Sequence, residues 1–172
     1  MKNIVFEVYG PFDISCDGQD RGSCKKIGKA DAKEFWKQPE VSAISNKQGC
    51  YIFSLRAGKG FTPWYVGRAG KTFFQECFTS HKMGHFNDVL WKGRKGAPVM
   101  FFVAPSGGKN KVPVGVLKEM EGYLIQSAVY KNPDLSNIQN RKTPEWGISG
   151  VVRGGKGRRA IISNTFKKMM GI

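Results

Sequence analysis

The sequence predicts a mixed α/β fold of the α+β type, built around one hydrophobic core. Two apolar, strand-like segments, 50–53 and 64–66, flank a glycine-containing turn at 57–60, which is typical of a β-hairpin. Apolar residues at helical spacing over 114–130 predict the strongest helix of the chain. A length of 172 residues suits one core with additions at its ends.

The segment before the hairpin carries weaker signals. Alternating apolar residues at positions 4, 6 and 8 predict an N-terminal strand that ends in a turn at Gly10-Pro11. A short helix is predicted over 30–36 and a polar stretch over 42–49. We therefore treat this part of the chain as an extension that contains one strand, a loop and a helix.

Beyond the hairpin, helices are predicted over 72–82 and 86–91, followed by an apolar strand over 98–104. The long helix stops before Asn132-Pro133, because a proline biases the preceding residue away from helical geometry. The predicted organisation has three parts: an N-terminal extension (1–47), a central domain (48–140) and a basic C-terminal segment (141–172).

The formal net charge is +15, and the whole excess lies in residues 41–172, which hold 21 basic and six acidic residues. A charge of this size indicates a polyanionic partner, because it concentrates counter-ions and accelerates association whatever the fold. We therefore expect the protein to act on nucleic acid. Charge that serves only solubility is the alternative.

Membrane and redox signals are both weak in this sequence. No apolar run approaches the roughly 18 residues of a membrane span, and the N-terminus lacks the pattern of a signal peptide. We expect a soluble, cytoplasmic protein with no membrane partner. The four cysteines form no CxxC pair, which favours reduced, buried thiols over a zinc site or a disulfide framework.

Glu121 is the most informative acidic residue. At about 100° per residue, it falls near the middle of the apolar face of the 114–130 helix, whereas Glu119 points away from that face. A carboxylate on a core-facing stripe is unfavourable unless it is paired or binds a cation. Glu121 is therefore a candidate site residue, and an ion pair with a Lys or Arg at the edge of the core is the alternative.

Cationic and histidine side chains cluster after the second hairpin strand. Arg68 and Lys71 lie in a loop that resembles the end of a P-loop but lacks its first glycine, so we expect phosphodiester contacts rather than nucleotide binding. His81 and His85 are four residues apart, but no third zinc ligand is evident. His81 is predicted to end the 72–82 helix, where it either satisfies free carbonyls or reaches a phosphate.

Five features follow one another over roughly residues 48–140. They are Gly49-Cys50-Tyr51 on the first hairpin strand, Tyr65-Val66-Gly67 on the second, a helix ending in His81, Glu121 followed by Leu124-Ile125, and Asn132-Pro133 followed by Asn137. Together they resemble the GIY-YIG nuclease domain. The resemblance implies a small three-stranded antiparallel central sheet flanked by helices, with metal-dependent hydrolysis of phosphodiester bonds.

The resemblance also implies roles for individual residues. Tyr51 and Tyr65 would share one site, in which a phenol assists in deprotonating the attacking water. Glu121 would hold one Mg²⁺ or Mn²⁺ ion, which stabilises charge on the reacting phosphate. Asn137 would brace the site by hydrogen bonding, and Arg68 would face the scissile phosphate.

One position departs from the family pattern. Such nucleases usually carry an arginine about four residues before the helix-ending histidine, and this chain has Cys77 there. The loss removes electrostatic stabilisation of ~3 kcal/mol unless Arg68 or Lys71 compensates.

The leading hypothesis is a Mg²⁺-dependent endonuclease that acts on DNA, with RNA as the alternative substrate. A catalytically lapsed nucleic-acid-binding protein with the same fold is the second hypothesis, and an RNA-associated protein whose Trp64 and Trp91 stack on bases is the third. In the first two, cationic side chains outside the catalytic set hold the nucleic acid backbone: Lys71, Lys82, Arg153, Lys156, Arg158 and Arg159.

Overall fold

The structure is a computed structural model that describes residues 4–16, 24–107, 111–137, 148 and 161–171. These residues belong to two compact units, one within residues 1–141 and one within 142–172. In the second unit the structure describes residue 148 and one helix, Ile161–Met170. All further elements belong to the first unit.

The first unit is built on a four-stranded antiparallel sheet. Its strands, in chain order, are β1 (Phe6–Asp13), β2 (Gly49–Ala57), β3 (Gly60–Ala69) and β4 (Ala97–Pro105). Their order across the sheet is β1-β4-β2-β3, so β1 and β3 are the outer strands. The mixed class is confirmed, but the sheet has one strand more than expected, because the N-terminal strand pairs with β4.

The helices of this unit follow the same chain order. They are α1 (Lys29–Lys37), α2 (Pro39–Ile44), α3 (Phe73–Glu76), α4 (Ser80–Trp91) and α5 (Val114–Lys131). The helix in the second unit, Ile161–Met170, is α6. Among the described residues, no helix is long and apolar enough to cross a membrane.

The hairpin prediction is confirmed, with longer strands than the apolar segments suggested. β2 and β3 are joined by Gly58 and Lys59, and Gly58 adopts a positive φ of 58° that suits a tight turn. The register places Tyr51 opposite Gly67 and Cys50 opposite Arg68. This pairing brings both tripeptide motifs to the same end of the hairpin.

The expected turn at Gly10-Pro11 is wrong, because β1 continues through it to Asp13. The pairing with β4 shifts register between Tyr9 and Phe12, and Gly10 adopts a φ of 109° in this irregularity. An outer strand tolerates proline because one side of its backbone needs no donor. The two residues therefore bulge the strand instead of ending it.

The predicted helix over 72–82 is two helices, α3 and α4, each with its own N-cap. The Thr72 hydroxyl accepts a hydrogen bond from Gln75 N at 3.2 Å, and the Thr79 hydroxyl accepts one from Lys82 N at 3.4 Å. Threonine is favoured at N-caps, so Thr79 restarts the helix after a break. The second helix then runs without interruption over the part predicted to begin at residue 86.

Each face of the sheet carries a separate apolar cluster. Tyr51, Phe53 and Tyr65 pack with the buried side chains of α1 to α4 on one face. Val66 packs with Ile125 and neighbouring side chains on the face covered by α5. Successive residues of β3 therefore point to opposite clusters, which determines where each site residue can act.

The expectation of four reduced thiols holds only for two of them. Cys50 and Cys77 are free and buried. Cys16 and Cys24 form a disulfide, with their Cα atoms 5.7 Å apart. The pair escaped prediction because the chain must turn back on itself to bring residues eight positions apart together, which no local spacing rule reveals.

Candidate active site at the outer strand β3

Asn137 covers part of the free edge of β3. Its side-chain Oδ1 accepts a hydrogen bond from Val66 N at 2.8 Å, and its Nδ2 donates one to Val66 O at 2.7 Å. Ser136 N donates to Trp64 O at 2.8 Å on the same edge. The side-chain amide of Asn137 therefore takes the place of a neighbouring strand, directly beside Tyr65 and close to Arg68.

Tyr51 is fully buried and lies across Gly67 on the adjacent strand. A Cβ atom at Gly67 would overlap the Cζ and Oη atoms of Tyr51, so the ring needs a glycine at this position. The Tyr51 hydroxyl has no hydrogen-bond partner in the structure. Burial, followed by the nearby Cys77 and Tyr65, raises the pKa of Tyr51 far above its usual range, so the hydroxyl keeps its proton.

Tyr65 is held by the first two turns of α4. Its Oη accepts a hydrogen bond from Lys82 Nζ at 2.5 Å. Its ring stacks on His85 with centroids 5.0 Å apart and an interplanar angle of 24°. The Tyr51 and Tyr65 rings lie 6.3 Å apart, so the two tyrosines share one face of the sheet with Lys82.

His85 is a site neighbour that the sequence interpretation considered only as half of a zinc pair. Its Nδ1 lies 3.2 Å from Ser136 Oγ, and its ring contacts His81 edge-on at 4.8 Å. Burial, followed by the neighbouring His81 and Lys82, lowers the pKa of His85, so the neutral ring is favoured. The spacing of one helical turn from His81 was the available signal, because it places both rings on one helix face.

His81 is predicted to end a helix, but it lies in the first turn of α4. Its side chain is exposed. The free backbone groups at a helix N-terminus are N–H donors, so a role in satisfying free carbonyls is wrong. Its role toward a phosphate stays a prediction.

Glu121 and Arg68 meet on the opposite face of the sheet. Arg68 Nη1 lies 3.7 Å from Glu121 Oε2, with 29% and 22% of the respective side chains exposed. Glu119 is exposed, so the predicted difference between the two glutamates is confirmed. The cation pairing that was the alternative explanation of Glu121 is present, although Arg68 Nη1 is buried and makes no hydrogen bond.

The Glu121 carboxylate affects the pKa of two groups on β2. Burial first, and then Glu121, raises the pKa of the Cys50 thiol to about 12, while Arg68 opposes the rise. Glu121 also contributes to the raised pKa of Tyr51. The candidate site therefore surrounds β3, with Tyr51, Tyr65 and Lys82 on one face and Arg68 and Glu121 on the other.

Comparison with known proteins adds no relative. No protein-family model, curated protein or solved structure matches this chain. The arrangement of side chains around β3 is therefore the basis for any functional proposal.

Cys77, at the position of the usual arginine, is 0% exposed and belongs to the core beneath Tyr51. Burial raises the pKa of its thiol well above the ordinary value. The structure places the Lys82 ammonium beside Tyr65, through a tertiary contact that no motif predicts.

The remaining predicted cations are Lys71 and four residues of the C-terminal segment. Lys71 is exposed, and its backbone N–H donates to Glu76 Oε1 at 2.5 Å. The Lys71 amide is therefore not available to a phosphate, and the expected phosphodiester contact of the Lys71 side chain stays a prediction. The tail residues lie outside the described part of the chain: Arg153, Lys156, Arg158 and Arg159.

The donor set is compatible with one hard cation. Within the described ranges there is no group of three or more His, Cys, Asp or Glu side chains, so Glu121 would be the single protein carboxylate. Mg²⁺ is commonly held by one or two carboxylates, with water and phosphate oxygens as its other ligands. Within the described structure, Tyr51 Oη and Arg68 Nη1 have no hydrogen-bond acceptor. A phosphate would supply acceptors of this kind.

Proposed function

We propose that this chain is an endonuclease of the GIY-YIG type that hydrolyses phosphodiester bonds in DNA with Mg²⁺ or Mn²⁺. The single observation that carries the proposal is the presence of two buried donor atoms without a hydrogen-bond partner, Tyr51 Oη and Arg68 Nη1, on the two faces of one strand beside a half-buried carboxylate. Buried donors without partners are rare, and each costs about 1–3 kcal/mol. In this proposal, movement of these side chains toward a ligand rich in acceptor oxygens gives both atoms a partner.

The described charges favour a phosphodiester as that ligand. Arg68 and Lys82 bring cations to the two faces of β3, and Lys82 is already hydrogen bonded to Tyr65. Because alternate strand residues point to opposite faces, a nucleic-acid backbone at the Arg68 end of β3, beyond the part covered by Asn137, can contact cations of both faces. Guanidinium and ammonium groups are the usual protein contacts of phosphate oxygens.

Glu121 is the residue that would hold the metal ion in this proposal. When bound, the ion would stabilise the negative charge that develops on the phosphate and the leaving oxygen. Glu121 pairs with Arg68 at 3.7 Å without a hydrogen bond, so Arg68 can turn toward a phosphate without breaking one. Arg68 would then neutralise phosphate charge next to the carboxylate.

In this proposal the tyrosine hydroxyl groups would contact and orient the attacking water. Because the pKa of Tyr51 is strongly raised, its hydroxyl acts as a hydrogen-bond donor toward a phosphate oxygen or the water. Tyr65 Oη lies beside the Lys82 ammonium, which supplies positive charge on the face where Cys77 supplies none. Lys82 therefore takes the place that the sequence interpretation assigned to Arg68 or Lys71.

The second candidate function is nucleic-acid binding without cleavage. The observation that favours it is the complete burial of Cys77, because a core thiol leaves no trace of the usual arginine. Incubation of the purified protein with single-stranded and duplex DNA and RNA, with Mg²⁺, Mn²⁺ or chelator, separates the two functions. Metal-dependent cleavage that is absent in Glu121→Gln supports the enzyme, and binding without cleavage in every metal supports the binder.

A further inference from the structure

A second concave surface lies outside the candidate active site, at the C-terminal end of α4. It has a volume of about 500 Å³ and is lined by Lys25, Lys26, Asn87, Asp88 and Trp91. Trp91 is 85% exposed, whereas Trp64 is 8% exposed and belongs to the core. Of these two tryptophans, only Trp91 presents its ring to a ligand.

The fold holds the two lysines next to this tryptophan. Asn87 Oδ1 accepts a hydrogen bond from Ile27 N at 2.8 Å, and Asn87 Nδ2 donates one to Ile27 O at 3.1 Å. Ile27 is buried in the core, so the segment that carries Lys25 and Lys26 is fixed against α4. Two hydrogen bonds between the Asn87 side chain and the Ile27 backbone, together with the burial of Ile27, therefore hold the two sides of the groove together.

We infer that this groove binds one nucleotide of a single-stranded nucleic acid, with the base stacked on Trp91 and the backbone phosphate against Lys25 and Lys26. An exposed aromatic face beside cations is the combination that single-strand binding proteins use. Bases within a duplex are already stacked, so their faces cannot reach the indole. The groove therefore selects an unpaired nucleotide.

The Asp88 carboxylate supports a base as the occupant in preference to a free phosphate. An exposed carboxylate in the lining repels a small anion, whereas it accepts hydrogen bonds from the amino groups of cytosine, adenine or guanine. The two lysines then neutralise the attached phosphate on the other side of the groove. The lining thus matches a nucleotide, which joins an apolar face, polar donors and one negative charge.

The groove and the candidate active site share one helix. Lys82 lies in the first turn of α4 and Trp91 is its last residue, which separates them by about 14 Å along the helix axis and by about half a turn around it. A nucleic-acid strand that contacts both must therefore pass around the helix, so it needs more nucleotides than the axial distance alone requires. The inference rests on the proposed function only for the nucleic-acid class of the ligand, and it adds an anchor for an unpaired segment beside the cleavage site.

The test is fluorescence anisotropy of a labelled single-stranded DNA oligonucleotide at fixed salt, in chelator so that no cleavage occurs. We expect Trp91→Ala to weaken binding about tenfold, because loss of base stacking is worth on the order of 1–3 kcal/mol. Trp91→Phe keeps an aromatic face and should retain most of the affinity. Because Trp91 is exposed, neither variant should lower the melting temperature appreciably.

The lysines are tested against a control of equal charge. The double variant Lys25→Ala, Lys26→Ala should bind single strands several-fold more weakly than the double variant Lys33→Ala, Lys118→Ala, which removes two exposed charges elsewhere. Equal affinity of these two double variants would overturn the inference. Equal affinity of Trp91→Ala and wild type, or an equal loss of duplex binding in Trp91→Ala, would overturn it as well.

Failure of this inference is distinguishable from failure of the proposed function. If Glu121→Gln abolishes cleavage while Trp91→Ala binds single strands like wild type, the groove assignment is wrong and the nuclease proposal stands. If Trp91→Ala loses single-strand binding while no metal supports cleavage by the wild-type protein, the groove assignment stands without the enzyme.

Discussion

Arg68 Nη1 lies 3.7 Å from Glu121 Oε2, within ion-pair distance but beyond hydrogen-bond distance. The pair brings a cation from an outer strand to a carboxylate on the core-facing side of α5. A guanidinium that served only to neutralise Glu121 would be expected to hydrogen bond to it. The open geometry instead leaves both groups able to take a different partner.

Glu121→Gln therefore provides the first prediction. It keeps the side-chain size and removes the charge, so metal-dependent cleavage should be lost while nucleic-acid binding is retained or strengthened. The melting temperature should change little, because no hydrogen bond to Arg68 is broken. Glu119→Gln, on the exposed face of the same helix, is the matched control and should behave like wild type.

A large fall in melting temperature would give the opposite conclusion for Glu121. A structural ion pair loses about 3–5 kcal/mol when one buried partner is removed. Full metal-dependent cleavage together with normal melting would eliminate Glu121 as a metal ligand.

The second prediction concerns the unpaired hydroxyl of Tyr51. Tyr51→Phe should reduce cleavage by about a hundredfold with little effect on binding, because the ring packing stays intact. Stability should be unchanged or slightly higher, since the substitution removes a buried polar atom that has no partner. Cleavage rates and thermal melts of the two proteins check both parts, and unaltered cleavage would show that Tyr51 takes no part in the reaction.

Gly67 provides the third prediction through its contact with Tyr51. Gly67→Ala places a methyl group against the Tyr51 ring, so it should cost about 1–3 kcal/mol and disturb cleavage together with stability. Gly122→Ala, in α5, meets no atom within 4 Å and should stabilise the helix by about 0.5–1 kcal/mol. Equal melting temperatures for these two variants would contradict the overlap at Gly67.

The fourth prediction is that Lys82 supplies the cation that Cys77 does not. Lys82→Met removes the charge beside Tyr65 Oη and should lower cleavage tenfold or more, on the order of 1–3 kcal/mol for a hydrogen bond to a charged group. Lys71→Met removes an exposed charge of the same kind and serves as the control. Similar cleavage rates for the two variants would indicate that Lys82 contributes only to general binding of nucleic acid.

Introducing an arginine at position 77 should not restore cleavage activity to the Lys82→Met variant. Cys77 is fully buried, so Cys77→Arg would place a guanidinium in the core and unfold or strongly destabilise the protein. This outcome differs from the harmless substitution that an exposed helix position would allow. A folded and more active Cys77→Arg variant would identify the protein as a lapsed nuclease whose core tolerates the original residue.

The fifth prediction is an acid sensitivity due to His85. Its pKa is lowered in the folded protein from the ordinary value of 6.5, so the unfolded chain takes up the proton first as the pH falls. The free energy of unfolding should therefore decrease once the pH drops below 6.5, and the loss is complete below the folded-state pKa. His85→Gln should flatten the melting temperature over this range relative to wild type, whereas His81→Gln, which removes a smaller cause of the lowered pKa but leaves His85 buried, should keep most of the slope.

Local chemistry explains which parts of the fold were predictable. The hairpin followed from a two-residue glycine turn between apolar strands, and the helix over 114–130 followed from its periodicity, which also separated Glu121 from Glu119. The break in the 72–82 helix had a local signal in Thr79, but the apolar pattern on both sides outweighed it. These features depend on neighbours within a few residues.

The unpredicted features all depend on contacts between distant segments. The pairing of β1 with β4, the hydrogen bond between Lys82 and Tyr65, and the disulfide between Cys16 and Cys24 need the tertiary fold. Burial of Cys77, by contrast, agrees with the expectation of buried, reduced thiols. The candidate site was therefore predictable as a set of residues but not as an arrangement on two faces of one strand.

Neither outer strand of the sheet, β1 or β3, presents a regular uncovered edge, and this affects self-association. An uncovered strand edge is a template on which a second chain can add a strand and begin aggregation. β1 carries Pro11 within its irregular pairing, and Asn137 occupies the backbone groups of Val66 on β3. The side-chain amide that holds β3 in place thus also occupies backbone groups on which a second chain would add a strand.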